Sequence, residues 1–339
     1  MTLRKTILGA SIVAAMTSST AFAETTIGGY GELHYNNLDS DIKGEKKEFD
    51  FHRFVLEFGH DFNEKIRFFS ELELEHALVK DTADGSNGGE VELEQAYIEM
   101  DISDTETVKA GVFLIPVGMM NETHEPPAFY GVERNPVEKN IIPATWWEAG
   151  AMYSTYMDNG ISYDLAIHSG LNSATGEVRK GRQKVSNAVA DSLAYTARLK
   201  YTGTPGLEVA GTLQYQDDMS QGTAVDAVSA TLIEAHAKYT TGAFTASALY
   251  ATWDVDINTD KQTQTGSFVE ASYKLNSKWG VFTRQNNWTN DDGTTDKAQT
   301  DIGFNYWPHE DVVFKADYQM QNDDAGDFDG INLGVGYQF

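Results

Sequence analysis

Apolar and polar residues alternate with a period of two along most of this chain. Ile66, Phe68, Leu72, Leu74 and Leu78 share one phase, and Arg67, Glu71, Glu73 and Glu75 the other. Leu193, Tyr195, Leu199 and Tyr201 oppose Thr196, Arg198 and Lys200, and Ile331, Leu333, Val335, Tyr337 and Phe339 oppose Asn332, Gly334, Gly336 and Gln338. Successive side chains of a strand point to opposite faces, so each stretch reads as a strand with one apolar face.

Sixteen such stretches are expected: 25–37, 49–60, 65–79, 91–103, 107–115, 147–157, 160–170, 190–202, 206–216, 227–240, 243–253, 266–276, 278–288, 299–307, 311–320 and 329–339. The fourth changes phase near Glu94 to Ala96, which predicts a β-bulge. The connections alternate in length. Short ones lie at 61–64, 103–106, 158–160, 203–206, 241–242, 276–277 and 308–310. Longer polar ones lie near 38–48, 80–90, 116–146, 171–189, 217–226, 254–265, 289–298 and 321–328. A soluble sandwich has loops of mixed length at both ends. Short turns at one rim and long loops at the other belong to an outer-membrane barrel. The expected fold is therefore all-β: a transmembrane antiparallel β-barrel of about sixteen strands. Tyr153, Tyr201, Tyr239, Tyr273, Trp279, Tyr306 and Tyr337 fall near strand ends, where interfacial aromatics sit.

The start of the chain changes the picture by giving an address. Arg4 and Lys5, the apolar run ILGASIVAAM and Ala21-Phe22-Ala23 have the order of a cleaved secretory signal peptide over residues 1–23, leaving 24–339 as the barrel. No stretch approaches the ~18 consecutive apolar residues of a helical membrane span. There is no cysteine, so stability is expected from hydrogen bonding and packing alone. The 25 basic and 51 acidic residues fall to 23 and 51 once Arg4 and Lys5 are removed, a net charge of −28. That excludes nucleic acid as a partner, because phosphates need a basic surface.

One connection stands apart. Segment 116–146 is the longest, joins the fifth and sixth strands, and mixes Met119, Met120, Phe129, Tyr130, Ile141, Ile142 and Trp146 with five prolines. Apolar residues in so long a loop need a surface to pack on. Folding inward supplies the barrel wall, and would present Glu122, His124, Glu125, Glu133, Arg134, Glu138 and Lys139 to solutes as a pore constriction. By phase, the facing wall carries Arg53, Arg67, Glu71, Glu73, Glu75, Arg198, Lys200, Arg284 and Lys315, together with Glu57, Glu99 and Lys109. Lumen charges of both signs would set a filter.

FDFHRFVLEFGHDF, ELELEHA, EQAYIEM followed by VKAGVFLIPVG, and the closing GVGYQF resemble the phosphate-selective O/P-type porins, most clearly from about 49 to 170. The resemblance implies a sixteen-stranded homotrimer in the bacterial outer membrane, among lipid and lipopolysaccharide, passing small hydrophilic solutes and ions. The terminal Phe339 with Tyr337 resembles the insertion signal of such barrels. Anion-selective members line the pore with Lys and Arg, whereas segment 116–146 sets Glu122, Glu125, Glu133 and Glu138 against Arg134 and Lys139.

The expected function is passive diffusion through a water-filled channel with a modest cation preference. The alternatives are an anion or phosphate channel, a non-conducting receptor or adhesin, and a barrel hydrolase. No serine or histidine lies in a nucleophile motif such as G-x-S-x-G, so no catalytic residue is assigned. No cofactor and no metal are expected. The run Asp254-Val-Asp256-Ile-Asn258-Thr-Asp260 opens like a calcium loop but has Thr259 and Thr265 where Gly and Glu belong, and reads as an acidic outer loop.

Overall fold

The computed structural model describes residues 24–79, 88–257, 260–290 and 295–339. The expected leader, 1–23, lies outside the described residues. Sixteen strands follow one another: β1 (Thr25–Asp39), β2 (Lys46–Asp61), β3 (Ile66–Glu75), β4 (Val91–Asp101), β5 (Glu106–Leu114), β6 (Trp147–Tyr156), β7 (Ile161–His168) and β8 (Ala194–Tyr201). Then come β9 (Leu207–Gln216), β10 (Val228–Thr241), β11 (Phe244–Ile257), β12 (Asp260–Lys274), β13 (Trp279–Thr289), β14 (Lys297–His309), β15 (Val312–Gln321) and β16 (Asp329–Gln338). Each pairs antiparallel with its neighbours in sequence, and β1 pairs with β16 to close the barrel. Gly29 and Phe339 exchange backbone hydrogen bonds of 3.1 and 2.9 Å at that seam. Closure leaves no strand edge unpaired, which is what a sheet needs in lipid. Among the described residues no helix is long and apolar enough to cross a membrane.

The barrel is inside out relative to a soluble fold. Leu165, Ile167, Tyr195, Leu199, Leu213 and Ile233 stand 40–60% exposed, while Asp164, Thr196, Arg198, Thr212 and Glu234 between them are buried. The apolar phase faces outward and the polar phase faces the lumen, so the alternation encodes orientation as well as strand structure. Outward aromatics stand at both rims: Tyr35 packs on Phe49 at 4.6 Å near the long-loop rim, and others line the short-turn rim. Trp279 stacks on Tyr306 at 4.4 Å, and Tyr306 packs on Phe314 on the next strand.

The bulge falls where the phase change puts it. Glu71 pairs with Gln95 and Leu72 with Leu93, so Glu94 is the extra residue. Two loops differ from expectation. Residues 254–257 and 260–265 are strand, with Asp254 opposite Thr263 and Asp256 opposite Lys261, so the calcium-like run is no acidic loop. Likewise β1 and β2 reach Asp39 and back to Lys46, shrinking the first long loop. In the β11–β12 ribbon the outward positions Asp254, Asp256, Lys261 and Thr263 are polar and Val255 faces the lumen, so the lipid-facing apolar phase that marks the other strands is missing there.

Candidate functional site: the segment inside the barrel

The β5–β6 connection lies inside the barrel. Its apolar residues Ile115, Val117, Val137, Ile141, Ile142 and Trp146 are buried in one cluster with inward-facing Leu232, Leu249, Trp253 and Phe268. The helix α1 (Pro136–Asn140) begins as its sequence dictates: Pro136 takes the first helical position, and the Asn135 side chain accepts from the Glu138 amide at 2.8 Å. Two wall glycines provide seats. A Cβ on Gly266 would lie 2.7 Å from both Val137 and Ile141, and one on Gly336 would collide with Pro126. Trp253 Nε1 donates to the Ile141 carbonyl at 2.8 Å. At the mouth of the segment, Asn121 donates to the Ile115 and Trp146 carbonyls and accepts from the Trp146 amide, tying the two ends together.

The charged residues expected to face solutes divide into three groups. Glu138 is spent inside the segment. It is fully buried and accepts from the Met119 and Met120 amides at 2.6 and 2.8 Å and from Asn135 at 2.8 Å. Burial pushes its pKa up even against those donors. It is a clasp, withdrawn from the solutes it was expected to meet.

The second group is paired to the wall. Glu122 bonds Arg198, which also holds Asp164 at 2.7 Å. Burial opposes ionisation of Glu122, but the charges of Arg198 and Lys200 outweigh it and hold the carboxyl below its ordinary value. Glu133 meets His34 Nδ1 at 3.0 Å, and His34 Nε2 meets Glu32 at 3.1 Å. Arg284 reaches Asp301 at 3.1 Å and donates to the carbonyls of Tyr130 and Glu133. Lys315 sits 3.3 Å above the Phe129 ring.

The third group is less committed. Glu125 is half-buried and near enough to the wall carboxylate Glu57 to act on its charge. Arg134 bonds Thr145 at 2.6 Å, leaving Nε and Nη2 without hydrogen-bond partners among the described residues. Lys139 is exposed. His124 is buried against β3 and β4, with Nε2 3.6 Å from Glu71 and 3.7 Å from Glu94.

Of the remaining wall residues, Arg53 meets Glu32 at 2.9 Å and Glu73 at 3.5 Å. Arg67 bonds Glu99 and Asp101 below the segment, and Glu75 clusters with Glu90 and Glu92 at the opposite, long-loop end of β3. Sequence reasoning passed over Asn121, Asn135 and Trp253, which hold the segment, and a second inward connection. Residues 169–193 cross above it: Arg179 donates to the Lys139 and Ala144 carbonyls, Arg182 to Thr145, and Lys184 bonds Glu90 at 2.6 Å. The signal was present as four basic residues within 179–184, in a chain with only 25.

A closed sixteen-strand barrel with an apolar exterior, a charged lumen and a long inward segment defines an outer-membrane channel-forming barrel. The chain belongs to the Gram-negative porin family, whose sequence profile matches residues 10–326. An uncharacterized protein of Aquifex aeolicus (strain VF5) is 43% identical over 184 residues, 52% of this chain and 40% of that protein, so the match spans less than half the relative's length. Among solved structures, an anion-selective porin from Comamonas acidovorans superposes with a TM-score of 0.68 at 13% identity, covering 94% of this chain and all of that one. The outer-membrane channel DcaP of Acinetobacter baumannii gives 0.65 at 14% identity, with 96% and 100% covered. A trimer form of OmpT from Vibrio cholerae gives 0.62 at 12% identity, with 94% and 99% covered. Likeness at that identity is likeness of fold.

Proposed function

We propose that this porin is a homotrimeric, water-filled channel for passive diffusion of small hydrophilic solutes and ions, with segment 116–146 as its constriction and a modest preference for cations, and that residues 1–23 are removed on export. The observation that carries the reading is the segment's two-faced seating: apolar residues on the wall, Glu122, Glu125 and Glu133 among lumen charges. Cation preference rests on the unequal balance near it. Glu71 and Glu73 add acid on β3, whereas Arg198 and Arg284 are each already held between two carboxylates. Fixed charge acts over about one Debye length, ~8–10 Å at ordinary salt, so these groups outweigh the global −26 of the full chain.

Single-channel recording in a planar bilayer under a KCl gradient tests this. The reversal potential should favour K⁺ and the preference should fade at high salt. A pore selecting chloride or phosphate would place control with Arg198, Lys200 and Lys109, and an absence of conductance would favour a plugged receptor. Deleting 122–138 should raise conductance; an inserted, folded variant with unchanged conductance would remove the segment from the constriction. Sedimentation in mild detergent should give trimers.

A further inference from the structure

Buried carboxylates in this lumen are, as a rule, satisfied. Asp164 has Arg198 and Ser154, Asp301 has Arg284 and Asn286, and Asp317 accepts from the Val132 amide. Apart from Glu234 Oε2 on β10, the exceptions among the described residues gather between β3, β4 and the inward segment. Glu94 Oε2, both Glu73 oxygens and His124 Nε2 are buried with no hydrogen-bond partner among the described residues. Five carboxylates, Glu32, Glu71, Glu73, Glu94 and Glu133, gather there around two guanidinium groups, Arg53 and Arg134, and the imidazole of His34. Buried charge of that kind is strongly unfavourable unless it is paired, neutralised by a proton or bound to a metal.

The two histidines show where the missing charge belongs. His34 places both ring nitrogens 3.0–3.1 Å from carboxylate oxygens, as an imidazolium does. His124 does not. Its Nδ1 lies 3.1 Å from the Asn121 carbonyl, which can only accept, so Nδ1 carries a proton. Its Nε2 faces Glu71 Oε1 at 3.6 Å and Glu94 Oε2 at 3.7 Å. These separations are too long for hydrogen bonds. They suit ligands sharing an ion, since tetrahedral donors at ~2.1 Å from a metal stand about 3.4 Å apart.

The surroundings are built in the same sense. Tyr30 donates to Glu71 Oε1 at 2.9 Å and Gln95 to Oε2 at 2.6 Å, fixing that carboxylate. The Asn121 bond fixes the His124 ring, as outer hydrogen bonds commonly fix metal-binding imidazoles. The bulge is what turns Glu94 into the lumen beside Gln95, where a regular strand would send one of them to lipid.

We propose that Glu71, Glu94 and His124 bind one divalent transition ion, of the zinc class by its mixed imidazole and carboxylate donors, and that the ion ties the inward segment to the β3–β4 wall. Binding is independent of whether the pore conducts, so its test does not use conductance. Tag-free protein refolded in detergent is titrated with ZnCl₂ by calorimetry. One zinc per chain is expected, with MgCl₂ giving no binding. Glu94→Gln and His124→Gln should each weaken zinc by more than the roughly 10–100-fold that loss of a supporting hydrogen bond costs. His76→Gln, in the exposed Asp50–His52–His76 group, should leave the lumen site intact. X-ray absorption on zinc-loaded wild type keeps the proposal falsifiable if the variants fail to fold. One imidazole nitrogen with carboxylate oxygens is expected; two imidazoles would place the ion at His52 and His76. Absence of zinc binding, or unchanged affinity in both folded lumen variants, would overturn the site.

Discussion

The two faces of the inward segment differ in kind. One is apolar and closed: Val137, Ile141, Ile142 and Trp146 lie fully buried against Trp253, Leu249 and Phe268. The other is charged, and its members reach separate parts of the wall, Glu122 to β8, His124 to β3 and β4, Glu133 to β1. The contrast separates two tasks. Non-directional apolar packing fixes where the segment lies, because every contact adds and none depends on a single angle. Ion pairs in the lumen add little net stability once desolvation is counted, but they decide which charges remain free to act on a passing solute.

Breaking the apolar face should have the largest effect. Ile141→Asp sets a carboxylate into the buried seat beside Gly266, and should cost more than the about 2–5 kcal/mol of an Ile→Ala truncation. Released from the wall, the segment should leave a wider, noisier channel. A quiet single-channel trace at wild-type conductance would show that the seat does not position it.

Breaking the charged face should change selectivity without unseating anything. Neutralising Glu122, Glu125 and Glu133 together to Gln removes one of the two carboxylates that hold each of Arg198 and His34, so the reversal potential should move towards chloride. The shift should be large at low salt and shrink as screening grows. Movement towards potassium, or none, would detach these residues from the filter.

A subtler change tests whether one hydrogen bond belongs to the seat. Trp253→Phe keeps an aromatic six-membered ring but removes the indole N–H that donates to the Ile141 carbonyl, leaving a buried acceptor unpaired and a small void beside it. The expected cost is about 1–3 kcal/mol in unfolding from detergent. Conductance should stay close to wild type.

The smallest effect is expected where the two faces meet at Phe129. Lys315→Met removes a buried ammonium from above that ring and takes one positive charge off the wall. Stability should change by no more than the ~2 kcal/mol of a desolvated cation–π contact. Selectivity should move slightly towards cations; a shift towards chloride would mean that Lys315 does not face the conducting path.

Much of this architecture is legible in the sequence. All sixteen strands, the outward face of each, the bulge at Glu94 and the inward segment follow from alternation and loop composition, because lipid and water impose opposite preferences on successive residues. Where the outward face is polar, as at Asp254, Asp256, Lys261 and Thr263, that lipid-facing contrast ends and so does the signal. Charges inside the lumen could be assigned to the wall but not to partners. Glu122, Glu133 and Glu138 look alike in sequence, yet one pairs with Arg198, one with His34, and one clasps backbone amides within its own segment. Partner choice depends on how strands far apart in the chain face each other across the barrel, which no local pattern records. The sequence by itself determined the barrel, its orientation and the segment that enters it. Only the tertiary structure decided which side chains that segment meets, and so brought His124 to Glu71 and to the residue that the bulge turns inward.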